Sequence, residues 1–148
     1  MNTRLRCLIL VSALGSPSVQ AAEAQALPPT PASAITAFMD AVAAHSESGV
    51  AQVWGTDSLG PAAAFMPAEQ RSPRIRVIIR LLAHERFTIN TEDSTNLTHR
   101  VYVVRVTTAT CATDVAFTVV SYHGGWLVSS VALEALAPKT RQCVPGGG

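Results

Sequence analysis

Asp114 is the acidic residue that lies well inside the predicted β-strands, and it is the first candidate for chemistry in this chain. On its face of the strand it stands beside Ala116 and Val120, and a carboxyl group held in an apolar cavity acquires the raised pKa of a general base. A second interpretation places Asp114 at the start of the strand, close to water. Arg105 is charged in an otherwise apolar strand, which is costly without a partner. Arg105 either binds an anionic ligand or, as we favour, pairs with Asp114 across the hairpin.

The histidines and the remaining arginines give weaker signals. His84 ends an arginine-rich helix, where it either titrates as an acid–base group or, as we favour, caps the helix carbonyls. The arginines of that helix form either an anion patch or, as we favour, a solvated face: Arg71, Arg74, Arg76 and Arg80. No two histidines have metal-ligand spacing, so the sequence predicts neither a metal nor a cofactor.

The first 21 residues have the three parts of a secretory signal peptide. Arg4 and Arg6 form a basic start, an apolar run follows over 7–15, and Val19 and Ala21 stand at the positions that signal peptidase prefers. The apolar run is about half of what a bilayer span needs, so we expect no membrane insertion. The sequence thus predicts export to the periplasm or the medium, two destinations that it does not separate.

Two cysteines remain after this leader, which includes Cys7, is removed. A pair in an exported domain most often forms a disulfide. The predicted bond joins Cys111 to Cys143 and closes a loop worth about 3.5–4 kcal/mol in the chain-entropy model.

Charge excludes one class of partner. The whole chain has a formal charge of +1, and loss of Arg4 and Arg6 leaves nine basic residues against ten acidic ones. The net charge therefore gives no overall electrostatic field that would attract nucleic acid.

The chain after the leader divides into three parts. We expect a flexible spacer over 22–31, one domain over 32–136 and a tail over 137–148.

Hydrophobic periodicity predicts three helices in the first half of the domain. The first begins at Pro31 with Thr30 as its N-cap, a short one follows over 50–54, and Ser72–Pro73 opens the third, which ends near His84. Residues 55–61 are predicted to be a loop, and no element is assigned to 62–66.

The second half changes to the alternation of strands. Four strands are expected over 87–91, 100–108, 113–122 and 126–133, with a turn at His123–Gly125. Short connections make them an antiparallel meander with the helices on one face, which is an α+β domain.

Both faces of the two middle strands are apolar, whereas a sheet with one wet face alternates more cleanly. We group Val103 with Val119 on one face and Val104 with Val120 on the other, and leave open which face meets the helices. Three helices cannot cover both faces, so a second copy is the expected cover. The sequence therefore predicts a homodimer through the sheet face opposite the helices.

The order of elements and three segments carry a family resemblance. The segments are Tyr122–Val131, with its Gly-Gly-Trp-Leu-Val sequence, Trp54–Pro61 and Leu82–Phe87. Over residues 32–134 the chain resembles exported bacterial members of the nuclear transport factor 2-like superfamily. That resemblance implies a cone of helices around a curved sheet, with an apolar pocket inside.

The resemblance implies a cavity and leaves the function open. We expect Phe38, Trp54, Met66, Tyr102 and Arg105 to line the pocket. The favoured function is non-catalytic binding of an apolar small molecule or of a protein partner.

The alternative function is a small isomerase, dehydratase or cyclase-type enzyme. In it, Asp114 serves as the base together with Tyr102 or His84.

Overall fold

The computed structural model describes residues 26–93, 96–137 and 142–143. The helices are α1 (Pro31–Ala43), α2 (Glu47–Val53), α3 (Ala62–Phe65) and α4 (Ala68–Leu81). The strands are β1 (Gly55–Thr56), β2 (Gly60–Pro61), β3 (Arg86–Asp93), β4 (His99–Thr107), β5 (Ala112–Tyr122) and β6 (Gly125–Val131). A 3-10 helix, Leu133–Leu136, follows the last strand. The predicted α+β class is confirmed, but the described residues form four α-helices where three are predicted, and not all of these precede the strands.

The start of α1 is where the sequence predicts it. Thr30 Oγ1 accepts a hydrogen bond from the Ser33 amide at 3.1 Å, and Ser33 Oγ accepts one from the Thr30 amide at 3.0 Å. This reciprocal capping satisfies two backbone donors that a helix start otherwise leaves free. The helix buries Ile35, Phe38 and Met39 against the rest of the domain.

The second helix begins earlier than predicted. Ser46 Oγ accepts a hydrogen bond from the Gly49 amide at 3.0 Å, so α2 starts at Glu47, three residues before the predicted start, and contains Gly49. A Cβ at Gly49 would lie 3.0 Å from the Ala41 Cβ, so the glycine also allows α1 and α2 to approach closely. His45 makes the sharp turn between them with a φ of 52°.

The start of α4 was also predicted too late. The helix begins at Ala68 after Pro67, and Pro73 lies inside it. One guanidinium nitrogen of Arg71 donates to the carbonyl oxygens of Met66, Ala62 and Ala63, at 2.9, 3.3 and 3.3 Å. These bonds satisfy carbonyls of α3 and of its C-cap residue Met66, and they tie the first turn of α4 to α3.

The four long strands form an antiparallel meander in the order β3-β4-β5-β6. His123 and Gly124 make the turn between β5 and β6, with φ values of 45° and 82°, as the glycine-rich sequence there indicates. The helices pack on the face that carries Tyr102, Val104, Val115 and Phe117, here called the inner face. The Phe38 and Phe117 rings meet edge to face with centroids 6.0 Å apart.

The opposite, outer face is partly covered by the chain itself. Val120 and Leu127 pair across β5 and β6 on this face and are buried. At the same end of the sheet, the β1–β2 hairpin meets two outer-face residues, since Gly60 lies against the Tyr122 ring and Asp57 against His99. The predicted loop over 55–61 is thus a small hairpin.

The register of the sheet corrects one grouping made from the sequence. Val103 pairs with Ala116 on the outer face, whereas Val119 pairs with Val128 on the inner face and is fully buried. Val103 and Val119 therefore lie on opposite faces, and so do Val104 and Val120. The physical reason is the strict two-residue period of a strand, which places odd-numbered residues of β4 and even-numbered residues of β5 together.

The predicted spacer over 22–31 includes residues that are packed. The Pro28 carbonyl accepts a hydrogen bond from the Trp126 amide at 2.9 Å, and Leu27 lies directly against Gly125. Together with the backbone bridge between Trp54 and Val128, these contacts cover the edge of β6 that is not paired with β5. The predicted signal peptide over 1–21 lies outside the described residues. Among the helices that the structure describes, none is long and apolar enough to cross a membrane.

Candidate functional site

Arg105 and Asp114 form the ion pair that the sequence favours. Arg105 Nε donates a hydrogen bond to Asp114 Oδ1 at 2.8 Å, and Arg105 Nη2 donates one to Asp114 Oδ2 at 2.9 Å. These bonds from Arg105 hold the pKa of Asp114 below its usual value, and the carboxylate raises the pKa of Arg105. A carboxylate that is ionised, paired and about one-third exposed is unsuited to act as a buried general base.

The other groups of the enzyme hypothesis do not converge on Asp114. Tyr102 lies on the inner face and is buried, whereas Asp114 lies on the outer face. His84 is 2.8 Å from the Leu82 carbonyl oxygen through Nδ1, and its ring packs edge to face on Phe87. The structure therefore does not assemble the base and partner that the isomerase or dehydratase alternative needs.

The five residues expected to line one pocket are also separated. Phe38 and Tyr102 belong to the packed core between the helices and the inner face. Trp54 packs against the edge of that core, Met66 ends α3, and Arg105 lies on the outer face. Between α1 and β5 the interior is filled by core side chains, among them the Phe38 and Phe117 rings, which meet edge to face.

An open cavity lies instead between the α1–α2 turn and α4. Its volume is about 420 Å³, and it is lined by His45, Glu47, Arg76, Ile79, Arg80 and Ala83. We call it the α4 cavity. Its volume is within the range of small-molecule sites, about 300–1,000 Å³.

Helix geometry produces the lining of the α4 cavity. Arg76, Ile79 and Arg80 stand at helical spacings of three and four, which places them on one face of α4. Ile79 is nearly buried and gives the cavity an apolar floor, with Ala83 just beyond the helix end. Across the cavity, His45 occupies the turn after α1 and Glu47 begins α2.

One ion pair closes part of the rim. Arg76 Nε lies 2.6 Å from Glu47 Oε1. Hydrogen bonds from Arg76, and secondly from Ser72, lower the pKa of Glu47, and the same carboxylate raises the pKa of Arg76. The site can therefore offer an apolar surface beside two guanidinium groups. That of Arg76 is paired with Glu47, and that of Arg80 has no carboxylate partner among the described residues.

Sequence reasoning noticed these arginines but did not separate their roles. Arg71 binds backbone carbonyls, Arg76 pairs with Glu47, and Arg74 and Arg80 are exposed. The sequence signal for the cavity was the spacing of Arg76, Ile79 and Arg80, which puts them on one face of α4. The sequence did not show that the α1–α2 turn lies opposite this face.

Two further cavities fit a ligand less well. One, of about 180 Å³, lies beneath residues 26–28 and is smaller than typical ligand sites. The other, of about 320 Å³, lies beside the Cys111–Cys143 disulfide and is lined largely by threonines and charged residues. There Thr108 Oγ1 already donates to the Cys111 carbonyl at 3.1 Å.

Asp57, His99 and Thr98 place a carboxylate, an imidazole and a hydroxyl group in contact, in the same order as in a catalytic triad. His99 Nε2 lies 3.2 Å from Asp57 Oδ2, and Nδ1 lies 3.1 Å from Thr98 Oγ1. Thr98 Oγ1 also lies 3.1 Å from Asn96 Oδ1, which accepts the backbone amides of Thr98 and His99 as well. These contacts join the β1–β2 hairpin, which carries Asp57, to the start of β4, which carries His99.

The described residues bring together no group of three or more His, Cys, Asp or Glu side chains suited to a metal ion. Comparisons of the chain with protein-family models, with curated proteins and with solved structures find no match.

Proposed function

We propose that this chain is an exported, non-catalytic domain that binds a small organic molecule in the α4 cavity. The observation that carries the proposal is an apolar floor of Ile79 and Ala83, open to solvent and bordered by charged side chains. Few polar groups around an apolar surface are typical of ligand sites. The pairing of Asp114 with Arg105 supports the non-catalytic form of the proposal.

Export is the second part of the proposal. The disulfide between Cys111 and Cys143 fits an oxidising compartment outside the cytoplasm. The leader-like sequence over 1–21 supports the same location. Mass spectrometry of the protein from its source tests this part, because an intact Met1 on the mature chain would contradict it.

Kinship with the nuclear transport factor 2-like superfamily is also part of the proposal. Helices followed by a four-stranded antiparallel meander support it. The filled interior means that a ligand site in this chain would lie outside the position that the resemblance implies.

The binding site is tested by filling it. Ala83→Trp places an indole over Ile79, and Ala32→Trp, at an exposed position on α1, is the matched control. Native mass spectrometry of protein purified from its source should show a retained ligand with the wild type and with Ala32→Trp, but not with Ala83→Trp. Equal retention by all three proteins would place the ligand elsewhere.

A homodimer through the outer face is a second candidate, favoured by a specific observation. Val101 is 39% exposed, and Val103, Ala116 and Thr118 continue the same surface between the hairpin and the Arg105–Asp114 pair. A stable dimer buries about 800 Å² on each partner. Sedimentation should give a dimer for the wild type and a folded monomer for Val103→Lys. A wild-type monomer at micromolar concentration would exclude this candidate.

A further inference from the structure

We infer that the ligand of the α4 cavity is an amphipathic organic anion. Its apolar part lies on Ile79 and Ala83, and its carboxylate or sulfonate group binds Arg80. This inference rests on the proposed function, since it names the ligand class of the same site.

The charges of the residues that line the cavity favour an anionic ligand. Glu47 and Arg76 neutralise each other at 2.6 Å, and the lowered pKa of Glu47, caused by Arg76 and Ser72, keeps this carboxylate ionised. Among the described residues Arg80 has no carboxylate within ion-pair distance. The cavity therefore has a net positive charge, although the chain without its leader has one more acidic than basic residue.

The spacing of the two arginines supports the same conclusion. Arg76 and Arg80 stand four residues apart on α4, and Glu47 balances the charge of Arg76 alone. An anion can therefore bind beside Arg80 without displacing Glu47 from Arg76. The bound anion would thus supply the counterion that the described residues leave out.

Apolar and charged groups run side by side along the cavity. Ile79, on α4, and Ala83, two residues beyond the end of that helix at Leu81, both line the cavity next to the arginine pair. A ligand that lies along α4 meets apolar carbon on one side and a guanidinium group on the other. Such a surface discriminates against both fully polar anions and neutral apolar molecules.

Two dyes with the same ring system test this ligand class. 8-Anilinonaphthalene-1-sulfonate carries a sulfonate, and N-phenyl-1-naphthylamine lacks it. Both are titrated by fluorescence into the mature, oxidised protein, and the methyl NMR signals of Ile79 and Ala83 report whether binding is in the cavity. The variants are Arg80→Gln and Arg80→Lys, with Arg74→Gln as a control on the same helix.

The sulfonate dye should shift both methyl signals. Arg80→Gln should weaken its binding about three- to fivefold, the size of one partly exposed charge contact. Arg80→Lys and Arg74→Gln should stay close to wild type, and the neutral dye should not respond to Arg80→Gln.

The outcomes separate the two proposals. If Arg80→Gln leaves the sulfonate dye unchanged while Ala83→Trp abolishes binding of both dyes, the anion preference is wrong and the binding site stands. If neither dye shifts the methyl signals of Ile79 and Ala83 in the wild type, the proposed binding site itself fails.

Discussion

Arg105 and Asp114 face each other directly across β4 and β5 and share two hydrogen bonds of 2.8 and 2.9 Å. This contact decides the chemistry of the outer face, because it keeps the carboxylate ionised and occupied. It also sets the direction of one pH effect on stability.

Asp114→Asn should remove part of the acid sensitivity of the fold. The pKa of Asp114 is lower in the folded chain, chiefly because Arg105 binds the carboxylate. Its contribution is therefore present above the unfolded pKa of about 4 and is lost as the pH falls through the lower, folded value. At pH 7 the substitution should cost about 0.5–1 kcal/mol, since the pair is partly exposed.

Urea unfolding at pH 7 and in steps from pH 4 to 2 measures this difference. The gap between wild type and Asp114→Asn should close over the acid range, whereas Asp40→Asn, on the exposed side of α1, should give no such gap. A gap that persists at pH 2 would show that the ion pair is not its cause.

Gly60→Ala should destabilise the domain more than Gly124→Ala. Both glycines have a positive φ, 79° and 82°, so both substitutions carry the strain of about 1 kcal/mol that a side chain meets there. Only at Gly60 does an added Cβ also collide, 2.7 Å from the Tyr122 ring, while nothing lies within 4 Å of it at Gly124. We expect an extra loss of about 1–2 kcal/mol for Gly60→Ala.

Thermal unfolding of the two variants isolates the contact between the hairpin and Tyr122. A smaller loss at Gly60 than at Gly124 would mean that the hairpin does not rest on this ring.

Loss of the disulfide should cost about 2–4 kcal/mol of unfolding free energy. Cys111 and Cys143 are 32 residues apart in sequence, and the bond ties residue 143 to the end of the sheet where β5 begins. The Cys111→Ser, Cys143→Ser double variant should unfold at lower urea concentration than the oxidised wild type. Reduced wild type should match the variant, and equal stability with and without reductant would show that the bond carries no stabilising constraint.

Phe117→Ala should cost about 3–5 kcal/mol, as is usual for a fully buried aromatic ring. The reason is that Phe117 fills the space between α1 and the sheet together with Phe38. Phe65→Ala, at a half-buried position in α3, is the control and should cost less. A loss below 1 kcal/mol for Phe117→Ala would indicate an interior that is loosely filled, as in a pocket.

Local chemistry made some elements predictable. Thr30 before Pro31 defines the start of α1, and the His123–Gly124 turn joins two strands, because both signals act over a few neighbouring residues. The start of α4 was missed because Arg71 holds it through carbonyls of a different helix. The β1–β2 hairpin was missed because strands of two residues show no periodicity.

The candidate site was far less predictable than the fold. Phe38, Tyr102 and Arg105 were expected in one pocket, but residue type alone does not distinguish a core side chain from a pocket side chain. The roles of Arg76 and Arg80 depended on Glu47, which lies 29 residues before Arg76 in the sequence.

The sequence by itself determined the α+β class, the alternation of the strands and the cysteines available for a disulfide, because these follow from periodicity and composition. Only the tertiary structure decided that Tyr102 and Phe117 face the helices while Arg105 and Asp114 face outward. Both faces of the middle strands are apolar in sequence, so the pattern does not say which face the helices cover. In the structure α1 packs on the inner face, the β1–β2 hairpin packs on part of the outer face, and residues 27–28 cover the free edge of β6. These contacts join residues far apart in the chain, so the local sequence pattern does not reveal them.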